Sequence, residues 1–356
     1  MNSKNEFNPN YAVPPGETLL ETIESICMTQ TELAQRMGRP QKTISEIING
    51  KAAITPETAL QLEKVLGIPA SFWNSAERNY RETLARLLDQ QQLVQQVEWI
   101  KNFPSREMVK LGWIPHVKSP QECVQALLQY LGIASTNQWE ILSGSMQGAF
   151  RQSPAFKNNE YALGCWLRQG EIQAQKTQCR PFNEGEFRHA LRKIRDLTRL
   201  SNEKAINQLK SICAEVGVAF VLVPEIKGTH VSGVTRWLGP EKAIIQQSYR
   251  YKTEDHFWFT FFHEAGHILL HGKKSVFIEI QDIQDSKEEE ANRFSSDTLI
   301  AESAWLSFLN AGSFTKQAIT TFADQVGISP GIVVGRLQHE KKIPHKYFND
   351  LKVKIL

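Results

Sequence analysis

No run of about 18 apolar residues occurs in the chain, so no membrane-spanning helix is expected. The opening MNSKNEFNPN has no apolar core of the kind a secretory signal needs. Cysteine is scarce and scattered: Cys27, Cys123, Cys165, Cys179 and Cys213 are the only five, and no pair stands at C-x-x-C spacing. An odd, dispersed set argues against a disulfide scaffold or a zinc knuckle and points to reduced thiols in a cytoplasmic protein. A surplus of one charge is missing too. The net charge is +3, from 41 Lys/Arg and 38 Asp/Glu, so any nucleic-acid-binding surface must be local.

What is present is long enough for two or three domains, at 356 residues. In MTQTELAQRMGRPQKTISEIINGK (28–51), Thr29 followed by Glu32 is a capping box. Leu33, Ala34 and Met37 give the helix after it an apolar face, and Gly38 ends it. A second helix begins near Pro40 and buries Ile44, Ile47 and Ile48. Two short helices about a glycine turn fit a helix-turn-helix whose second helix enters the DNA major groove. Residues 17–68 hold five Lys/Arg against seven Asp/Glu, yet 36–51 hold four against one. Gln41, Lys42, Thr43 and Ser45 project from the early turns of the second helix toward base edges or phosphates. Lys51 follows it, and Gln30, near the start of the preceding helix, can hold a phosphate.

This stretch resembles the Xre/Cro-type helix-turn-helix, and in detail the HigA-type antitoxins, through VPPGETLLETIES, TELAQRMG, ISEIINGKAAITPETALQLEKVLGI and FWNSAERNY. The resemblance implies a dimeric domain that represses an operator. Arg39-Pro40 stand where that family has a Ser/Thr helix cap.

The second signal is FFHEAGHILLHG (261–272). His263 and His267 are one turn apart on a helix, so both imidazoles can meet one zinc ion. Glu264 is placed to take a proton from water. A catalytic zinc needs a third protein ligand, and SKEEEANRFSSDTLI (286–300), with helical spacing of Ala291, Phe294 and Leu299, offers Glu288, Glu289 and Glu290. The helix resembles that of thermolysin-like proteases, whose third ligand is a helical Glu followed four residues later by an Asp. That resemblance implies Glu288 as ligand, Asn292 as the partner orienting a ligand histidine, Glu290 as the alternative ligand, and Glu289 pointing away. His271 reads as a helix-end histidine with a structural role. His230, Arg236, His339 and His345 are possible oxyanion donors, none of them assigned.

FTFFHEAGHILLHG and EEEANRFSSDTLI together resemble the two signature blocks of the ImmA/IrrE metallopeptidases, and the resemblance covers about 205–340. It implies a zinc-dependent gluzincin-like fold whose members act on bacterial repressors or sit fused to helix-turn-helix domains. Ala301 stands where that family tends to have proline, and Ser295-Ser296 replace small alanines.

The expected fold class is an N-terminal all-α helix-turn-helix domain, a helical middle region and a C-terminal α+β domain with a small sheet. Its bounds are a lead-in over 1–16, the DNA-binding domain over 17–80, a connecting region over 81–204, the zinc domain over 205–342 and a tail over 343–356. VAFVLVPEI, HVSGVTRWLG and EKAIIQQSYR are strand candidates. ALGCWLRQGEIQAQ fits one helix or a strand pair. TTFADQVGISPGIVVGRLQHE (320–340) repeats the helix-glycine-helix rhythm and reads as a structural closure of the zinc domain. The expected function is a cytoplasmic, homodimeric regulator. It binds double-stranded operator DNA and carries a Zn2+ peptidase domain that cleaves or senses a toxin, an antitoxin or a repressor protein. Two alternatives stay open: a non-catalytic antitoxin whose zinc domain is a sensor or scaffold, and a protease whose helix-turn-helix binds protein.

Overall fold

The computed structural model describes residues 11–150, 154–250, 252–272, 277–279 and 286–355. Most of the expected lead-in, residues 1–10, lies outside them. The chain forms two compact units: Met1–Glu98 with Ser119–Val124, and Trp99–Lys118 with Gln125–Leu356.

The first unit is helical: α1 (Pro15–Ser25), α2 (Gln30–Met37), α3 (Gln41–Ile48), α4 (Pro56–Leu66) and α5 (Ala70–Gln95). The Thr29 hydroxyl accepts the Glu32 N–H at 3.1 Å, one half of a capping box, while the Glu32 carboxylate pairs with Arg36, and Gly38 leaves α2 with φ 64°. Pro40 caps α3 in extended backbone, so that helix starts one residue later than its sequence suggests, at Gln41. The core gathers Leu19, Ile23, Leu33, Met37, Ile44, Ile47, Leu62 and Trp73. Buried Glu77 of α5 accepts the Ile54 N–H at 3.1 Å and the Arg81 Nε–H at 2.7 Å, which fixes the segment after α3.

The chain continues through α6 (Ser105–Lys110), α7 (Pro120–Leu131), α8 (Asn137–Phe150), α9 (Pro154–Lys176), α10 (Glu184–Asp196) and α11 (Asn202–Glu215). The open choice at 162–175 resolves as helix: it lies inside α9. Asn159 leaves helical backbone, and its Oδ1 accepts the Ala162 N–H at 3.1 Å to cap the segment that follows.

Then come β1 (Val218–Leu222), β2 (Gly233–Gly239), β3 (Lys242–Gln247), α12 (Glu254–Leu270), β4 (Phe277–Glu279), α13 (Ser286–Leu299), α14 (Glu302–Asn310), α15 (Lys316–Val326) and α16 (Pro330–His339). The sheet order is β1-β3-β2-β4, with β1 parallel to β3 and the other pairs antiparallel. Pairing of Thr235 with Ile245 and of Arg236 with Ile244 puts alternate residues on opposite faces. One face meets α9, where Gln246 Nε2 donates to the Trp166 carbonyl and Arg236 Nη2 to the Leu167 carbonyl. The other meets α12, where Thr235 Oγ1 donates to the Glu264 carbonyl at 3.1 Å. Helix α12 is therefore covered nearly all round, which its apolar, aromatic sequence allows. The α15–α16 pair repeats the form of α2–α3, but α16 buries Ile332, Val333, Val334 and Leu337 in the core around α12, so it has no free face to offer DNA.

Candidate metal centre and helix-turn-helix surface

His263 and His267 face each other from adjacent turns of α12, with their Nε2 atoms 2.9 Å apart and each side chain about 1% exposed. Helix α13 brings Glu288 to the same point: its Oε2 lies 3.1 Å from His263 Nε2 and its Oε1 3.4 Å from His267 Nε2. Two residues let the helices meet this closely. A Cβ on Gly266 would stand 3.1 Å from the Phe294 ring and 3.3 Å from the Ala291 backbone. Ser295 Oγ donates to the Phe259 carbonyl at 2.8 Å, a clasp between α12 and α13.

The protonation states suit a cation. Burial pushes the His267 imidazole down to about 4, so it is a neutral base at neutral pH. Burial pushes the Glu288 carboxyl up, but the approach of His263 and His267 outweighs it and holds the group below the usual carboxylate range, so it is a carboxylate at neutral pH. His263 Nδ1 lies 2.9 Å from Asn292 Oδ1, which can only accept, so His263 carries its proton on Nδ1 and turns its Nε2 lone pair inward. Three lone-pair donors thus converge within 4.8 Å of one another, and this His2Glu set fits a divalent metal of the zinc type.

Glu264 is fully buried. Its carboxylate lies along β2: a Cβ on Gly233 would stand 2.6 Å from Glu264 Oε1 and 2.7 Å from Thr260 Cγ2. Strand β2 thus positions this residue twice, through the space at Gly233 and the Thr235 bond to its carbonyl. Neither Gly233 nor Thr235 stands out in the sequence, because only the register of β2 against α12 gives them a role. The three glutamates of α13 diverge. Glu288 meets the histidine pair, Glu290 Oε2 lies 3.2 Å from His271 Nε2, and Glu289 is exposed. Arg236 is on the α9 face of the sheet, opposite α12, which removes it from the possible oxyanion donors. His230 is largely exposed, with Nδ1 3.9 Å from Glu225.

In the first unit, Gln41, Lys42 and Lys51 are exposed, and Gln30, Thr43 and Ser45 are partly so. The local basic excess is smaller than the count suggests. Arg36 pairs with Glu32 at 2.6 Å and Arg39 Nε donates to Gln61 Oε1. Lys42 approaches Glu46 only at 3.8 Å, with most of its side chain in solvent. No side chain caps α3, and its Thr43 N–H bonds back to the Pro40 carbonyl at 3.0 Å.

Comparison with known proteins matches two stretches of the chain. A helix-turn-helix family model matches residues 28–73, and the model of the IrrE N-terminal-like domain, a peptidase family, matches 219–338. Over 59 residues, 16% of this chain and 58% of the relative, the chain is 41% identical to virulence-associated protein A of Dichelobacter nodosus. Over another 59-residue match, 17% of this chain and 63% of the relative, it is 34% identical to YddM of Escherichia coli (strain K12), described as an uncharacterized HTH-type transcriptional regulator. The chain spans about three-fifths of the length of these curated relatives. Among solved structures it matches an addiction module antidote protein of the HigA family from Coxiella burnetii, at 28% identity over 25% of this chain and 91% of that one, with a TM-score of 0.21. The chain therefore joins an Xre-like helix-turn-helix domain to an IrrE N-terminal-like domain of the peptidase type.

Proposed function

We propose that the protein is a DNA-binding regulator with a zinc-dependent endopeptidase domain that cleaves a regulatory protein of the repressor or antitoxin class. The observation that carries this reading is the convergence of His263, His267 and Glu288 beside a buried Glu264. His263, His267 and Glu288 would hold Zn2+. Bound zinc would supply a Lewis acid that polarises a peptide carbonyl and acidifies water. Glu264 takes the proton from the attacking water as the new carbon–oxygen bond forms. It returns that proton to the amide nitrogen as the carbon–nitrogen bond breaks. Asn292 keeps the proton of His263 on Nδ1, and Gly233 and Thr235 hold Glu264 in place.

Residues 17–80 would read an operator as a homodimer on a two-fold site, with α3 in the major groove. Gln41, Lys42, Thr43 and Ser45 would meet bases and phosphates, and Gln30 and Lys51 phosphates. Residues 81–204 would connect this domain to the peptidase of 205–342.

Glu264→Gln tests the enzymatic reading. The variant should keep its zinc, lose hydrolysis of the regulator by a factor of about 100 or more, and keep DNA binding. Unchanged cleavage would end the reading, and absence of cleavage by the native chain with every regulator of its own genome would favour the sensor alternative. For DNA, binding to the promoter region should weaken with salt, and Lys42→Ala should lower affinity evenly across sequences.

A further inference from the structure

The side of His267 that faces away from Glu288 is occupied by a second histidine. His267 Nδ1 lies 2.9 Å from His271 Nδ1, one turn further along α12. His271 Nε2 lies 3.2 Å from Glu290 Oε2 on α13. The His271 ring is buried, with 3% of its side chain exposed, whereas Glu290 reaches solvent. With both imidazoles neutral, one proton arrangement is self-consistent. A carboxylate can only accept, so His271 places its proton on Nε2 and donates it to Glu290. Its Nδ1 is then a lone pair and accepts from His267 Nδ1–H. That leaves the Nε2 lone pair of His267 directed at Glu288 and His263. The arrangement matches what Asn292 does for His263, but it is built from a histidine and a glutamate.

We propose that His271 is a positioning residue for the metal centre: its Nδ1, oriented by Glu290, fixes the tautomer and ring plane of His267 so that Nε2 is available as a ligand. The inference rests on the zinc reading above. It assigns each ligand histidine its own outer acceptor, Asn292 for His263 and His271 for His267. It also explains why Glu290 is not a ligand: its carboxylate is committed to His271.

The test uses the full-length chain with two substitutions at one position. His271→Leu keeps an apolar body without an acceptor, and His271→Asn keeps an acceptor near the place of Nδ1. Zinc affinity is measured by competition with a chromophoric chelator, with the melting temperature of the metal-free protein as a control for folding. The expected result is a loss of about 10- to 100-fold for His271→Leu, and a loss of only a few-fold for His271→Asn. Equal losses in both, or no loss in His271→Leu, would overturn the proposal. A second readout needs no metal: long-range 1H–15N spectra of the histidine rings should give His267 as the Nδ1–H tautomer in the native chain and lose that preference in His271→Leu. A native His267 protonated on Nε2 would also overturn it. Failure of the native chain to take zinc, with the tautomer as expected, would sink the zinc reading and leave the proton arrangement standing.

Discussion

Gly233 shows how little space the centre leaves at the level of single residues. A methyl group there would press on Glu264 Oε1 and Thr260 Cγ2, at 2.6 and 2.7 Å. Gly233→Ala should therefore retain zinc, by elemental analysis, and lose most hydrolysis, since the displaced group is the proposed proton carrier rather than a proposed ligand. Glu254, at the start of α12, gives a prediction in pH. Burial pushes its carboxyl up from 4.5, although the Ser329 hydroxyl and the Val353 N–H both donate to it and pull the other way. A group raised on folding favours the folded state fully below its unfolded value, near 4.5 here, and loses that contribution as pH rises through the folded value. Glu254→Gln cannot ionise. Its melting temperature relative to the native chain should rise from pH 4 to pH 8, and a flat difference would contradict this account. Two of the cysteines are core thiols. Cys165 and Cys213 are fully buried and their thiols are pushed up by burial, whereas Cys27 is exposed. A thiol reagent should modify Cys27 in the folded protein and reach the other two only on unfolding.

Between elements, what counts is how α13 is held against α12. Arg195 donates Nε–H to the Thr298 and Leu299 carbonyls at 3.0 Å each, and Nη2–H to the Val326 carbonyl at 2.6 Å. Arg336 donates Nη1–H to the Ser296 and Ile300 carbonyls and lies 4.5 Å over the Trp305 ring. The free carbonyls at the end of α13 are thus met by two guanidinium groups, which also suit the helix dipole. Arg195→Ala should cost about 2–3 kcal/mol in urea unfolding, because charge-assisted bonds to partly buried carbonyls are lost together. No spacing rule in the sequence links Arg195 to residues about a hundred positions on. The strongly local features are a different matter. The N-cap at Thr29, the glycine turn at Gly38, the strand runs of β1–β3 and the one-turn spacing of His263 and His267 each depend on neighbours in sequence, and each could be read there. Strand β4 could not, because it is three residues long and is defined by pairing with β2. The α15–α16 echo marks the limit of rhythm as a guide: two helix-glycine-helix passages look alike until burial separates a surface pair from a core pair.

For the molecule as a whole, two units with separate cores should respond to different ligands. Operator DNA should raise the unfolding transition of the first unit, and zinc that of the second, by about 2.7 kcal/mol when zinc is at a hundred times its dissociation constant. The segment after 342 belongs physically to α12. The Glu254 N–H donates to the Val353 carbonyl at 2.9 Å, the Ile355 N–H to the Lys252 carbonyl at 2.9 Å, and Lys352 Nζ reaches buried Asp255 at 2.6 Å. Lys352→Ala leaves Asp255 buried without its cation and should lower the stability of the second unit by about 3–5 kcal/mol, whereas Lys346→Ala in the same segment should have little effect. The central claim is that His263, His267 and Glu288 form one metal site. Its most direct test is the metal content of the purified chain beside Glu288→Ala. About one zinc per native chain, falling sharply in the variant while the fold is kept, is the predicted result; no zinc in the native chain after loading and removal of excess, or equal zinc in both, would contradict it.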